Sequence, residues 1–254
     1  MGGAVPIFWC MRRSLIVTPL LLALCVPLPA RADPFASRDA PLRVTTPDGK
    51  PLASGALHQV RTGDEVQTSL RFRFSDGRQV VEQAELTVAP KVIQHRWSWE
   101  EHQGGVLTRR YVINFDAGLA NAMKRDDSGK AKTWTKAFRN APGKLFAGLG
   151  FVYALAPLVP HLTQVDRKAL GFIPKPEEAD VQLRAGTDDA RPRGVRDVIG
   201  ATVHPNLSFI IKLVANPKDS YLWFDKQSGV FVQSLSPLVE PGDPVVRLTV
   251  GPDR

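Results

Sequence analysis

Cysteine is nearly missing from this chain: two residues in 254, Cys10 and Cys25. Both fall in a leader that reads as removed on export, so the mature protein has no disulfide, no thiol nucleophile and no cysteine-held metal. Histidine is sparse too. His58, His95, His102, His161 and His204 are scattered, with no His-x-His and no His-Glu-x-x-His pairing, which excludes a zinc centre of the usual spacing. Gly-x-Ser-x-Gly elbows, phosphate-cradling glycine loops and kinase or dinucleotide signatures are lacking as well, so no nucleotide cofactor and no named catalytic residue are expected. Glycoside hydrolysis requires two opposed carboxylates. The adjacent Glu100 and Glu101 read instead as solvated turn residues.

The longest apolar stretch lies in the leader. Arg12 and Arg13 form a positive n-region, Leu15 to Leu28 an apolar core, and Ala30-Arg31-Ala32 a small-x-small cleavage site. Cleavage after Ala32 starts the mature chain at Asp33 and places it in the periplasm, and Met11 fits a true start better than Met1. Pro19, Pro27 and Pro29 interrupt the run, against the roughly 20 apolar residues of a membrane-spanning helix. The leader takes away three of the 33 basic residues and none of the 25 acidic ones, leaving a net charge of +5. That mild excess suits plain solubility or contact with an anionic membrane surface. The 222 residues that remain are enough for one domain with a substantial core.

Asp33 to Pro41 is polar and reads as a flexible leader; residues 42–254 read as one β-rich domain. Period-two alternation dominates the next hundred residues. Val66, Thr68, Leu70, Phe72 and Phe74 share one face, and Gln67, Ser69, Arg71 and Arg73 the other. Ser75-Asp76-Gly77-Arg78 then supplies hairpin turn chemistry before a partner strand from Gln79 to Val88. Strands follow over Val92 to Trp99, Val106 to Phe115, Leu119 to Arg125 and Lys130 to Phe138. Loops this short make the run an antiparallel meander, since a parallel pair needs a crossover of a dozen or more residues.

The pattern breaks at Lys144 to Pro157, where Ala-Leu-rich residues between prolines favour one short helix. A helix apolar on all sides must be covered, either as a plug in the concave face of the sheet or as a lid over a pocket. Thr163 to Arg193 is charged and proline-containing, and reads as loops around at most one or two short strands. Strand patterning returns over Val198 to Val203, Leu207 to Ala215, Tyr221 to Asp225, Val230 to Leu235 and Val245 to Val250. The fold expected is mainly β: a strongly curved antiparallel sheet, an open, incomplete barrel, wrapped around one short apolar helix. An outer-membrane barrel would need lipid-facing apolar strands, whereas Arg71, Arg73, Glu85 and Lys212 occupy the non-core face.

Polar residues on the apolar face carry the functional signal. Alternation places Glu82, His95 and Arg109 inward on three successive strands, beside Trp97, Trp99 and Tyr111. Buried charge is costly unless paired. These groups therefore meet one another, as a Glu82–Arg109 ion pair with His95 beside it unless a bulge reverses the register, or they meet a ligand. In the ligand reading the six form a site in which Glu82, His95 and Arg109 hold a lipid head group while Trp97, Trp99 and Tyr111 line the acyl path. Trp134 and Trp223 serve equally as core or as lining.

The signal, the strand meander, the lone helix around Leu145 to Leu155 and the closing run Tyr221-Leu222-Trp223-Phe224-Asp225-Lys226-Gln227-Ser228-Gly229-Val230-Phe231-Val232 together resemble the bacterial periplasmic lipoprotein-carrier (LolA/LolB-like) fold. The resemblance implies an open barrel whose concave face takes acyl chains under a lid of helix and loops. It brings no catalytic residues. The function expected is non-catalytic binding or carriage of a lipid or other hydrophobic small molecule by a monomer, with no cofactor, no metal and no nucleic-acid partner. An envelope hydrolase with a dispersed site and a structural module of the cell envelope are the alternatives.

Overall fold

Fifteen strands and one helix make up the protein in a computed structural model that describes residues 33–173, 175–186, 197–206 and 218–251. Residues 1–32, expected to be an export signal, the strand expected over Leu207 to Ala215 and Lys212 lie outside these residues. The first meander comprises β1 (Arg38–Thr45), β2 (Pro51–Thr62), β3 (Glu65–Phe74), β4 (Gln79–Thr87), β5 (Ile93–Gln103), β6 (Val106–Asn114), β7 (Leu119–Arg125) and β8 (Ala131–Ala137). After the two-residue β9 (Leu145–Phe146) and α1 (Gly148–Leu155), the second comprises β10 (Gln164–Ile173), β11 (Lys175–Ala185), β12 (Val198–Asn206), β13 (Ser220–Asp225), β14 (Phe231–Pro237) and β15 (Val245–Val250).

All fifteen belong to one sheet, in the order β8-β7-β6-β5-β4-β3-β2-β1-β15-β14-β13-β12-β11-β10-β9. The first and last strands pair antiparallel at its middle, Leu42 opposite Val250, and both free edges come from the middle of the chain. That connectivity compels curvature. Eight residue steps separate Ala137 at one edge from Leu145 at the other, a reach of at most about 29 Å. Laid flat, fifteen strands would hold those edges about 67 Å apart. The sheet therefore rolls up until its edges overlap, and it stays open, because β8 pairs only with β7. Lys136 of β8 reaches Glu177 of β11 at 2.7 Å instead.

The strand reading of the first meander matches the structure. On β3 the residues Val66, Thr68, Leu70, Phe72 and Phe74 are buried and Arg71 and Arg73 exposed. Gly77 turns the hairpin with φ +86°, a conformation that costs glycine nothing. In the closing run, the carboxylate of Asp225 accepts the Gln227 and Ser228 amides at 3.1 and 2.8 Å, which fixes the β13–β14 turn.

Three expectations change. The segment expected to be a flexible leader is tied down: residues 38–41 begin β1, Gln59 Nε2 donates to the Ala36 carbonyl at 2.7 Å, and Arg61 pairs with Asp33. Thr163 to Arg193 is not mainly loop. Residues 164–185 hold β10 and β11, paired from Gln164–Arg184 to Ile173–Lys175, with Leu170, Phe172, Val181 and Leu183 buried. Exposed charges at Asp166, Lys168, Glu178 and Asp180 break up the apolar pattern by which the sequence would have declared these strands. Finally, β5 continues to Gln103, so the turn begins at Gly104, three residues beyond Glu101.

A candidate ligand cavity in the concave face

Helix α1 lies inside the curve, against β4 and β5. Eight residues of helix are marginal on their own, and α1 has no side-chain cap from its own sequence. Distant strands supply one. The Glu82 carboxylate accepts the Leu149 amide at 2.8 Å and the Trp97 indole N–H at 2.8 Å, placing negative charge at the positive end of the helix. Gln94 pairs with the backbone of Ala147 in both directions: its amide donates to the carbonyl at 3.0 Å and its oxygen accepts the N–H at 2.8 Å. Farther along, the Tyr153 hydroxyl donates to Gln59 and lies 3.1 Å from the Thr68 hydroxyl.

This seating needs small residues. A Cβ on Gly148, which has φ +46°, would lie 2.1 Å from Trp97 Nε1, and one on Gly150 would lie 2.1 Å from Gln94 Cδ. Of the two roles open to the helix, its position is that of a plug anchored along its length. Burial pushes the Glu82 carboxyl above the usual carboxylate range, against the pull of its Trp97 and Leu149 hydrogen bonds.

Between α1 and the two wings of the sheet lies a cavity of about 320 Å³, within the range of small-molecule sites. One wall carries Leu70, Phe72, Glu82, Trp97 and Trp99 from β3 to β5. The helix side contributes Leu149, Phe151 and Val152, and the opposite wall Leu170, Val181, Leu222, Phe231, Val246 and Leu248. Phe172 of β10 stacks on Tyr111 with ring centroids 4.4 Å apart and on Trp97 at 5.7 Å, drawing the two wings together. Trp99 meets Phe72 edge-on at 6.1 Å.

The remaining boundary is the loop between β14 and β15, whose Leu238, Val239 and Pro241 line the cavity. It crosses to the far wing as a strap. Arg109 Nη1 donates to both Asp243 oxygens at 2.9 and 3.0 Å, and its Nη2 donates to Glu101 at 2.7 Å. The Tyr111 hydroxyl donates to Glu240, and Lys124 Nζ reaches the same carboxylate at 3.0 Å. Asp243 also accepts the strap's own Val239 and Glu240 amides, both at 3.1 Å. Burial works against the Arg109 charge, but the Glu101 hydrogen bond and the attraction of Asp243 outweigh it and hold the guanidinium protonated.

The six residues singled out by alternation therefore divide. Glu82, Trp97 and Trp99 line the cavity. Arg109 and Tyr111 point inward and are buried, yet they hold the strap, and Arg109 pairs with Glu101 and Asp243 rather than with Glu82. His95 does not point inward. A bulge sets Leu86 opposite Gln94 and Glu85 opposite Arg96, so Gln94 takes the inward position and His95 turns to the convex face. Glu101, expected to be solvated, is 7% exposed. Trp223 also leaves the cavity, stacking on Tyr221 with centroids 6.2 Å apart, while Trp134 is half-buried on β8.

On the convex face His95 Nε2 lies 2.8 Å from the Thr87 hydroxyl and its Nδ1 3.0 Å from Asp116. A hydroxyl, imidazole and carboxylate in that order is the arrangement that activates nucleophiles. Here the Asp116 side chain is 61% exposed, so the water-excluded setting in which such groups stabilise developing charge is absent. Among the described residues no group of three or more His, Cys, Asp or Glu side chains is placed to hold a metal ion.

Sequence reasoning passed over Gln94, hidden by the bulge, and Glu240 and Asp243, which sit in a Pro-Gly turn. It also passed over Lys218, Ser220, Ser234 and Ser236 on the cavity wall. The alternation that flagged Glu82 picks out Ser220 beside Leu222, whereas a bulge between Phe231 and Gln233 brings Ser234 and Ser236 to the cavity out of phase with Phe231.

No protein-family model matches the chain, and no curated protein matches it by sequence. Among solved structures it is similar to the crystal structure of a β-barrel-like protein of the domain of unknown function DUF1849 from Brucella abortus. That match has a TM-score of 0.44 and 10% sequence identity, and it covers 85% of this chain and 97% of the other.

Proposed function

We propose that this chain is an exported, periplasmic protein that binds or carries a lipid or other hydrophobic ligand in the concave face of its sheet, without catalysis. The observation that carries this reading is the cavity itself. Aromatic and aliphatic side chains from both wings and the helix enclose about 320 Å³, and apolar enclosure with few polar groups is the usual chemistry of a small-molecule site. The volume lies near the lower end of that range, which favours one acyl chain over several. The likeness to lipoprotein carriers is then one of architecture, with cargo on a smaller scale.

The test begins with expression of the full chain in a bacterium that has a periplasm. The mature protein is purified without detergent, its N-terminus sequenced, and its bound material identified by native mass spectrometry and organic extraction. The expected result is a monomer starting at Asp33 that carries a stoichiometric acyl compound. A protein whose mass is that of the bare chain, and which takes up no acyl compound when one is added, overturns the reading.

A further inference from the structure

Three ionisable side chains line the cavity: Glu82, Glu177 and Lys218. Two are already occupied. Glu82 accepts the Trp97 indole and the Leu149 amide, and Glu177 is paired with Lys136 at 2.7 Å. Lys218 is exposed at the start of β13 and has no ion pair or hydrogen bond among the described residues. Its neighbours on the wall grade from polar to apolar. Ser220 lies two residues beyond Lys218, past Asp219, whose carboxylate is engaged by His204 at 2.6 Å; Ser236 lies on the adjoining β14, and Leu222, Phe231 and Leu248 continue the same wall.

We propose that Lys218, with the hydroxyls of Ser220 and Ser236, is the head-group site of this cavity, and that the ligand is a single-chain amphiphile with an anionic head, a carboxylate or a phosphate. The proposal rests on the cavity-binding reading above and adds the charge and orientation of the ligand. The ammonium of a lysine is a compact point charge on a flexible stem and serves either anion. Serine hydroxyls donate to the same oxygens. At the opposite wall the Glu82 carboxyl is already engaged by Trp97 and Leu149 and offers no positive charge, so an anionic head is favoured at Lys218. The chain then runs along Leu222 and Leu248 toward the indoles of Trp97 and Trp99, with its head at the mouth.

Three ligands of equal chain length separate head-group recognition from chain burial: laurate, dodecyl phosphate and dodecanol, each titrated as monomer at low ionic strength with quenching of tryptophan fluorescence as the signal. The mature protein is expected to bind one or both of the anions about tenfold more tightly than the alcohol. Lys218→Glu should abolish that preference, Lys218→Arg should keep it, and the remote exposed Lys50→Glu should alter nothing. A preference for laurate alone assigns a carboxylate head, and one for dodecyl phosphate alone a phosphate. Equal affinity for all three, or an anion preference that survives Lys218→Glu, overturns the head-group site while the cavity reading stands. Failure to bind any of the three overturns both.

Discussion

The guanidinium of Arg109 on β6 grips the carboxylate of Asp243 through two hydrogen bonds of 2.9 and 3.0 Å, across 134 residues of sequence. This grip holds the strap between β14 and β15 over the cavity. Arg109 also neutralises the buried Glu101, so its removal leaves Asp243 without its cation and Glu101 with only the more distant Arg78, 3.7 Å away. Arg109→Met is expected to cost about 3–5 kcal/mol in urea denaturation. Asp243→Asn keeps the shape and drops the charge; amide exchange should rise in residues 237–243 and stay unchanged in α1. A strap whose exchange does not respond would show that it is held by its apolar contacts alone.

Glu82 makes stability depend on pH with a defined sign. Burial raises its carboxyl above the ordinary value of 4.5, so the folded state holds this proton more tightly than the unfolded one. Its ionisation therefore opposes folding. This contribution worsens as pH rises from 4.5 through the raised value and is relieved as pH falls. Glu82→Gln retains an oxygen that can accept from Trp97 and Leu149 and removes the titration. Thermal unfolding should show the variant gaining on the parent at pH 8 relative to pH 5. Glu82→Ala, which orphans two buried donors, should lose about 1–3 kcal/mol at pH 5.

Two glycines are required for different reasons. A Cβ at Gly150 would meet the Gln94 amide at 2.1 Å, whereas one at Gly55 would meet the Arg71 carbonyl at 1.8 Å. A side chain can move aside, at the cost of its bonds to Ala147, so Gly150→Ala should lose about 1–3 kcal/mol and still fold. The strand backbone of β3 cannot. Gly55→Ala is expected to be the more damaging change, and equal unfolding midpoints for the two variants would contradict this account.

Filling the cavity should block it without unfolding the protein. Ala179 on β11 is half-buried and lines the cavity. Ala179→Phe is expected to reduce laurate and dodecanol binding alike by tenfold or more, with a melting temperature within a few degrees of the parent, the usual tolerance for a residue with free space before it. Undiminished binding would place the ligand elsewhere.

The Thr87–His95–Asp116 chain has hydrolytic order without hydrolytic surroundings. Hydrolysis of p-nitrophenyl esters by the mature protein is expected to equal that of the His95→Ala variant. A rate that vanishes in both Thr87→Val and His95→Ala would instead establish the convex face as an enzyme site and revive the hydrolase alternative.

The inward side of β3, β4 and β6 was legible because side-chain direction in a strand has a strict period of two, so Val66 to Phe74 and Leu107 to Phe115 declare their buried faces. On β5 the same rule fails at one residue. The bulge beside Leu86 adds a position, and every inference upstream of Trp97 inverts, exchanging His95 for Gln94. Residues 164–185 failed for another reason: exposed Asp166 and Lys168 share their face of β10 with the buried Leu170 and Phe172, exposed Glu178 and Asp180 interrupt β11, and with Pro176 inside β11 the run imitates a loop.

Composition and periodicity alone determined that the two cysteines, Cys10 and Cys25, precede the β-rich part of the chain, that this part is built of antiparallel strands, and that one apolar helix must be covered by them. These are local properties, written at spacings of two and of three to four residues. Partners were decided by the tertiary structure. That Arg109 meets Asp243 instead of Glu82, that Glu82 caps a helix 67 residues away, and that Lys218, unpaired among the described residues, lines the cavity all follow from one global constraint. The edges β8 and β9 are joined by a short link, so the sheet must roll, and rolling brings together side chains whose separation along the chain carries no local signal.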